Sequence, residues 1–263
     1  MKSVFVTEKT LDSMWFRLLK EVSENGRKNP ITYGSFAGTN RLEFDFAAGT
    51  IEYPTTRPLA PIMNEGVPVV TTDDEIEKYF VNYIMDGTLD QNNHYKYATW
   101  IAGGKYSLPK VDLVVSQGWE DDGTISSFRI DKCSYINVPN QVEWIINHYK
   151  KRGHGNNHCC LQIGYPESSF AYDIPWKDES ERQTSPCLRL IDTHIKDGVL
   201  HMAVTFRSWD LFAGFPENMG AMTMLMEYMA NEIGVETGPL SFSCLKLHLY
   251  DYQLEAVRAR LHE

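Results

Sequence analysis

Four short motifs in the last third of the sequence carry side chains able to act on one substrate: Pro186-Cys187, Arg207-Ser208-Trp209-Asp210, Gly214-Phe215-Pro216-Glu217-Asn218 and His248-Leu249-Tyr250. In order they supply a thiol, a guanidinium, an amide and a pair of hydrogen-bonding groups sized for a sugar. That inventory suits covalent attack on an anionic, heteroaromatic substrate. A thiol is a poor nucleophile until it ionises, and a nearby guanidinium favours the thiolate while offering a two-pronged grip on phosphate.

The same motifs, in this order and at nearly these separations, resemble those of the thymidylate synthase family from about Asn140 to Tyr250. The resemblance implies that Cys187 adds to C6 of a pyrimidine, so that C5 becomes a carbon nucleophile for a one-carbon unit. The donor implied is 5,10-methylene-tetrahydrofolate. Arg207 would grip the phosphate and steady the thiolate, and Ser208 would donate a further phosphate hydrogen bond. Asp210 would contact the pterin and, through its backbone, the base. Asn218 would read the base edge, where Asn marks uracil and Asp marks cytosine; its other reading is a helix N-cap. His248 and Tyr250, two apart on a strand, would share the sugar 3′-hydroxyl. Tyr97 matches the tyrosine that assists proton removal from C5, with Tyr95 as competitor.

The departures from the family pattern are as specific. Gly155-Asn156-Asn157-His158 stands where the family carries an Arg-Arg pair that reaches the partner subunit's phosphate. Arg152, His154 or His158 is expected to take that role across a homodimer, with Arg41 next in line. Leu188 replaces the usual His after the nucleophile, and Phe206 the usual Gln before the Arg. The water-organising glutamate has Glu75 and Glu77 as candidates. The last motif lies close to Glu263, as in short-tailed members. The function implied is conversion of deoxyuridylate to thymidylate. The alternatives are a hydroxymethylase acting on dUMP, dCMP or CMP, which ends the same adduct with water, and a non-catalytic nucleotide-binding homologue.

Composition agrees with a soluble enzyme of small anions. A net charge of −10 argues against a nucleic-acid surface, and no apolar run is long enough for a bilayer or a signal peptide. The expected partners are a pyrimidine nucleotide and a folate, with no nucleic acid and no membrane. Five cysteines without Cys-x-x-Cys spacing suit a reducing, cytoplasmic setting, and no metal is expected.

The elements that must position these residues are legible as hydrophobic periodicity. Helices are expected over residues 11–22, 72–84, 140–151 and 218–232, with a short one ending at Arg260. Strands are expected over 41–46 and 50–53 as a hairpin about Ala48-Gly49, and over 111–119 and 126–131. Residues 158–163, 187–195, 199–207 and 240–250 complete the set. Asp197-Gly198 is the strongest turn signal. The expectation is an α+β fold, one domain over residues 1–263, with a large mixed sheet flanked by helices.

Overall fold

The computed structural model describes residues 1–32, 36–88, 96–113, 128–170 and 185–262. Its centre is β10 (Glu236–Tyr250), the longest strand, flanked by β3 (Asn40–Ile51) on one side and β8 (Val199–Phe206) on the other. The sheet runs β1 (Ser3–Glu8), β3, β10, β8, β7 (Leu188–Lys196) and β6 (Cys160–Gln162), with β2 (Arg27–Pro30) on β3 and β9 (Trp209–Asp210) on β10. Pairing is mixed: β10 lies antiparallel to β3 but parallel to β8 and β9. The α+β class and the mixed sheet are as expected. A second, two-stranded sheet joins β4 (Gly104–Leu113) and β5 (Phe128–Val138). Both strands are offset from the expected ranges, and the acidic turn at residues 120–123 lies outside the described residues.

The β7–β8 hairpin turns at Asp197 and Gly198, both with positive φ (53° and 78°). That is what a two-residue turn matched to strand twist requires, so the Asp-Gly signal was physically grounded. The hairpin expected about Ala48-Gly49 is a correction. Those residues sit inside β3, which runs unbroken between β1 and β10. A Cβ on Gly49 would lie 2.7 Å from the Val6 carbonyl oxygen and 2.8 Å from the Phe242 ring. Gly49 therefore serves close approach of neighbouring strands, not a turn.

Helix α1 (Leu11–Asn25) buries Leu11, Met14, Trp15, Leu18, Leu19 and Val22, the stripe its periodicity predicts. Burying a side chain of this size stabilises by roughly 1.5–3 kcal/mol. Its Trp15 Nε1 donates to the Leu211 carbonyl at 2.9 Å, tying the helix to the chain just after β9. Helix α2 (Asp73–Tyr79) starts at the capping box formed by Thr72 and Glu75, then continues as a π-helical turn, Phe80–Met85. After the four-residue α3 (Ala98–Ile101) comes α4 (Gln141–Arg152), where Asn140 caps the first turn and Gly153 takes positive φ beyond the last.

Helix α5 (Gly214–Ile233) begins four residues earlier than expected. Its N-cap is Ala213, so the reading of Asn218 as a helix cap is wrong, and the amide is available for other partners. Gly220 on α5 faces Ile76 of α2, and a Cβ there would sit 2.8 Å from the Ile76 side chain. This close packing brings the end of α2 against the start of α5. Helix α6 (Leu254–Leu261) closes the described chain and packs against α1. No described helix is long and apolar enough to cross a membrane.

Candidate active site

Cys187 lies one residue before β7, in the Ser185-Pro186-Cys187 segment, and is half-buried. Three hydrogen bonds hold this segment to Arg207 at the end of β8. The Arg207 backbone N–H donates to the Cys187 carbonyl (2.9 Å), its Nε to the Pro186 carbonyl (3.1 Å) and its Nη2 to the Ser185 carbonyl (2.8 Å). One guanidinium thus fixes the loop that carries the thiol. Burial pushes the Cys187 thiol above its ordinary value, while Arg207 and then Arg189 pull it back down. Arg189 was not among the expected residues. Strand alternation could not have pointed to it, since Cys187 precedes β7 and the β7–β8 register shifts between Leu188 and Leu190. Gly164, with φ +86°, leaves room for it: a Cβ would sit 3.1 Å from Arg189 Nη1.

Tyr97 is buried, and its hydroxyl accepts a hydrogen bond from the Leu188 N–H at 3.3 Å. Burial raises its phenol well above the ordinary tyrosine range, with Tyr79 and Cys187 adding to the shift, so it stays neutral. Tyr95, its competitor, lies outside the described residues. The Tyr83 ring meets Tyr97 edge-on at 5.6 Å and stacks on Tyr79 at 4.9 Å. Tyr79 in turn accepts a hydrogen bond from Asn218 Nδ2 at 2.9 Å. Three tyrosines therefore join the thiol region to the Asn218 amide.

The orientation of that amide is set by Trp209. Its indole Nε1–H donates to Asn218 Oδ1 at 3.0 Å. Indole can only donate, so the atom facing it must be the amide oxygen. Tyr79, whose hydroxyl can donate or accept, takes the nitrogen end. Trp209 is itself locked by a parallel stack on Phe206, 3.8 Å between ring centroids, and by Phe215 at 4.7 Å. Phe206 occupies the position where the resembled family has Gln, so that departure builds the platform for Trp209.

The far wall is made by neighbouring strands. On β10, His248 and Tyr250 share a face, as their spacing predicts, and their rings meet edge-on at 4.8 Å. His248 pairs with Asp210 on β9 and with Glu43 on β3, while Tyr250 pairs with Arg41. Burial lowers the His248 imidazole, and its Nδ1 contacts the Lys246 carbonyl at 2.8 Å. Its buried Nε2 has no hydrogen-bond partner among the described residues. Asp210 is fixed by the N–H groups of Phe212 (3.0 Å) and Ala213 (3.3 Å) and by Gln253 Nε2 at 3.1 Å. Ser208 sits half-buried at the break between β8 and β9.

Not every expected residue joins this group. Arg152, His154 and His158 are exposed around the end of α4. Cys159, next to His158, pairs through its carbonyl with Thr193, six residues along from Cys187. On an extended strand that is about 20 Å away. Within one chain His158 therefore lies far from the thiol. Arg41 does stand beside Tyr250, where it is ion-paired with Glu43. Of the two glutamate candidates, Glu75 is engaged in its capping box and Glu77 is exposed. Sequence reading missed Glu217, directly before Asn218. Burial raises its carboxyl, and the Glu75 carboxylate adds to the shift.

Comparison with known proteins places this site in context. The family model described as thymidylate synthase matches residues 167–263. A protein of Methanosarcina acetivorans named "Putative thymidylate synthase" is 32% identical over 94 residues, 35% of this chain and 43% of that protein. "Thymidylate synthase" of Symbiobacterium thermophilum is 30% identical over 123 residues, 46% of this chain and 42% of that protein. The chain thus spans less than half the length of these curated relatives. The matched stretch holds Cys187, Arg207, Asn218, His248 and Tyr250; Tyr97 falls outside the family match.

Proposed function

We propose, from the premise that residues 167–263 make this chain a divergent member of the thymidylate synthase family, that it transfers a one-carbon unit to C5 of a pyrimidine nucleotide. The substrate proposed is deoxyuridylate and the product thymidylate. The observation that carries this reading is the linkage of Cys187, with Arg207 and Arg189 beside it, to an orientation-fixed Asn218 through Tyr97, Tyr83 and Tyr79.

In this reading the Cys187 sulfur adds to C6, and the electrons of the ring double bond move toward C5 and O4. C5 then forms a carbon–carbon bond and loses its proton, for which Tyr97 is placed as a neutral relay. Departure of the donor's nitrogen with that proton loss would leave an exocyclic methylene while sulfur stays on C6, and hydride addition to the methylene would then expel the Cys187 thiolate and restore the ring double bond. Methylene-tetrahydrofolate, when bound, supplies the one-carbon unit and the hydride. Asp210 suits a pterin N–H, since only Gln253 donates to its Oδ2 among the described residues. The Asn218 oxygen, aimed by Trp209, keeps a lone pair for a uracil N3–H, and its nitrogen keeps one hydrogen for O4. Arg207 and Ser208 take the phosphate, and His248 with Tyr250 the sugar hydroxyl.

A cytoplasmic homodimer belongs to the same reading, with a basic residue at the end of α4, Arg152 or His154 or His158, completing the partner's phosphate site. The distance of His158 from the Cys187 of its own chain supports that assignment. One observation favours hydroxymethylation as the second reading: Glu217, with its raised carboxyl beside Asn218, is suited to deliver a proton or activate water. Incubation with deoxyuridylate, deoxycytidylate or cytidylate plus methylene-tetrahydrofolate, with product identification by mass, tests both. A methylated uracil nucleotide supports the first reading, a hydroxymethylated one the second, and no product from any pair removes both.

A further inference from the structure

Away from the thiol region, the sheet edge carries a cluster that the proposed reaction does not use. His148 on α4, together with His158 and Cys159 just before β6, presents two imidazoles and a thiol whose ligand atoms all lie within 4.8 Å of one another. We propose that His148, His158 and Cys159 form a zinc-class metal site, with two nitrogens and one thiolate as ligands and a fourth position open to solvent.

The local backbone makes this grouping possible. Side chains adjacent on a flat strand point to opposite faces, which would separate His158 from Cys159. Here the Cys160 N–H donates to the His158 carbonyl at 2.9 Å, closing a three-residue turn centred on Cys159. β6 starts only at Cys160, two residues later than the sequence suggests, so His158 and Cys159 escape strand alternation. Nine residues of intervening chain between His148 and His158 hid the pair from motif reading, and the end of α4 folds it back.

The surroundings suit a metal ligand set. The Trp144 ring stacks on His148 at 5.0 Å, and His148 meets His158 edge-on at 4.7 Å, which restrains both imidazoles. The Asn156 side chain lies beside the Cys159 sulfur. Asn156 Nδ2 is buried without a hydrogen-bond acceptor among the described residues. A metal-bound thiolate would be that acceptor, in the way outer hydrogen bonds commonly support ligand sulfur. Zinc–nitrogen and zinc–sulfur bonds of about 2.0–2.3 Å need only modest rotamer adjustment from the present spacing. Magnesium and calcium do not fit, because they take oxygen ligands. Occupancy would withdraw His158 from phosphate binding and leave that role to Arg152 or His154.

Titration of the full chain with zinc by calorimetry, and with cobalt(II) by absorption, tests the proposal. The expected result is one ion per chain, with visible bands of four-coordinate cobalt and a near-ultraviolet thiolate-to-cobalt band. His148→Ala and His158→Ala should each weaken zinc binding at least about tenfold, and Cys159→Ser should abolish the thiolate band. Cys160→Ser and Cys187→Ser should retain it. His158 is exposed, so His158→Ala keeps the test decisive even where Cys159→Ser fails to fold. No cobalt band in the wild type, loss of the band in Cys160→Ser or Cys187→Ser, or unchanged zinc affinity in His158→Ala overturns the site.

Discussion

The hydrogen bond from Trp209 to Asn218 gives a prediction that separates two similar-looking substitutions. Trp209→Phe removes the one donor-only group that bonds the amide among the described residues, whereas Tyr79→Phe removes a hydroxyl that can serve either end. Without Trp209 Nε1–H, the amide can turn over, because Tyr79 donates to an oxygen as readily as it accepts from a nitrogen. The turned amide presents its nitrogen to the base position where uracil offers an N–H, and cytosine an unprotonated ring nitrogen. A neutral hydrogen bond of this kind contributes about 1 kcal/mol net. Trp209→Phe should therefore lower the uracil-over-cytosine ratio of kcat/KM about fivefold. Tyr79→Phe should lower kcat/KM by a similar factor for both bases and leave the ratio unchanged. Phe keeps much of the stack on Phe206, which limits the packing loss. The assay is direct competition between deoxyuridylate and deoxycytidylate with both products quantified by mass. An unchanged ratio in Trp209→Phe, or an equal change in Tyr79→Phe, refutes orientation of the amide by the indole.

Arg207→Ala should weaken nucleotide binding about ten- to a hundredfold, as loss of a charged hydrogen bond costs roughly 1.5–3 kcal/mol; Arg207→Lys should recover only part, and calorimetric titration reads both. The rate of Cys187 alkylation in the nucleotide-free protein should rise with pH to a midpoint above the ordinary cysteine value, because burial outweighs the two guanidiniums, and Arg207→Ala should move that midpoint higher still. For His248 the folded imidazole titrates below its unfolded value, so its contribution to stability is present above about pH 6.5 and is lost as pH falls through the folded value. Thermal melts between pH 5 and 8, on roughly that scale, should show a smaller acid loss in His248→Gln. Leu18→Ala, emptying a fully buried site under the sheet, should cost about 2–5 kcal/mol in denaturant unfolding.

The parts of the molecule visible in its sequence were those set by local rules. The α1 stripe, the Thr72 and Glu75 capping box, the Asp197-Gly198 turn and the His248 and Tyr250 alternation each follow from one element's own geometry. What escaped was decided between elements. Gly49 looks like a turn residue until Val6 and Phe242 are seen pressing on it from neighbouring strands. Asn218 has the composition of a helix cap, yet α5 starts earlier, because Ala213 can begin a helix without a side-chain cap and the buried Phe215 and Pro216 extend its packed face. β1 and β2 are short strands whose place depends on β3, so neither shows a strong pattern of its own. Arg189, Tyr79 and Glu217 reach the site from three different elements, and only tertiary packing brings them together. The aromatic chain from Tyr79 to Tyr97 also depends on the π-helical turn after α2, where the ordinary helical repeat is interrupted.

The central claim is that Cys187 is the nucleophile toward a pyrimidine C6. Incubating the protein with 5-fluorodeoxyuridylate and methylene-tetrahydrofolate, followed by digestion and mass mapping, tests it most directly, because fluorine at C5 blocks the proton loss that must precede release of the sulfur. The account predicts a stable adduct on the peptide containing Cys187 and none in Cys187→Ser. An adduct on Cys133, Cys159, Cys160 or Cys244, or no covalent adduct while normal turnover continues, would contradict it.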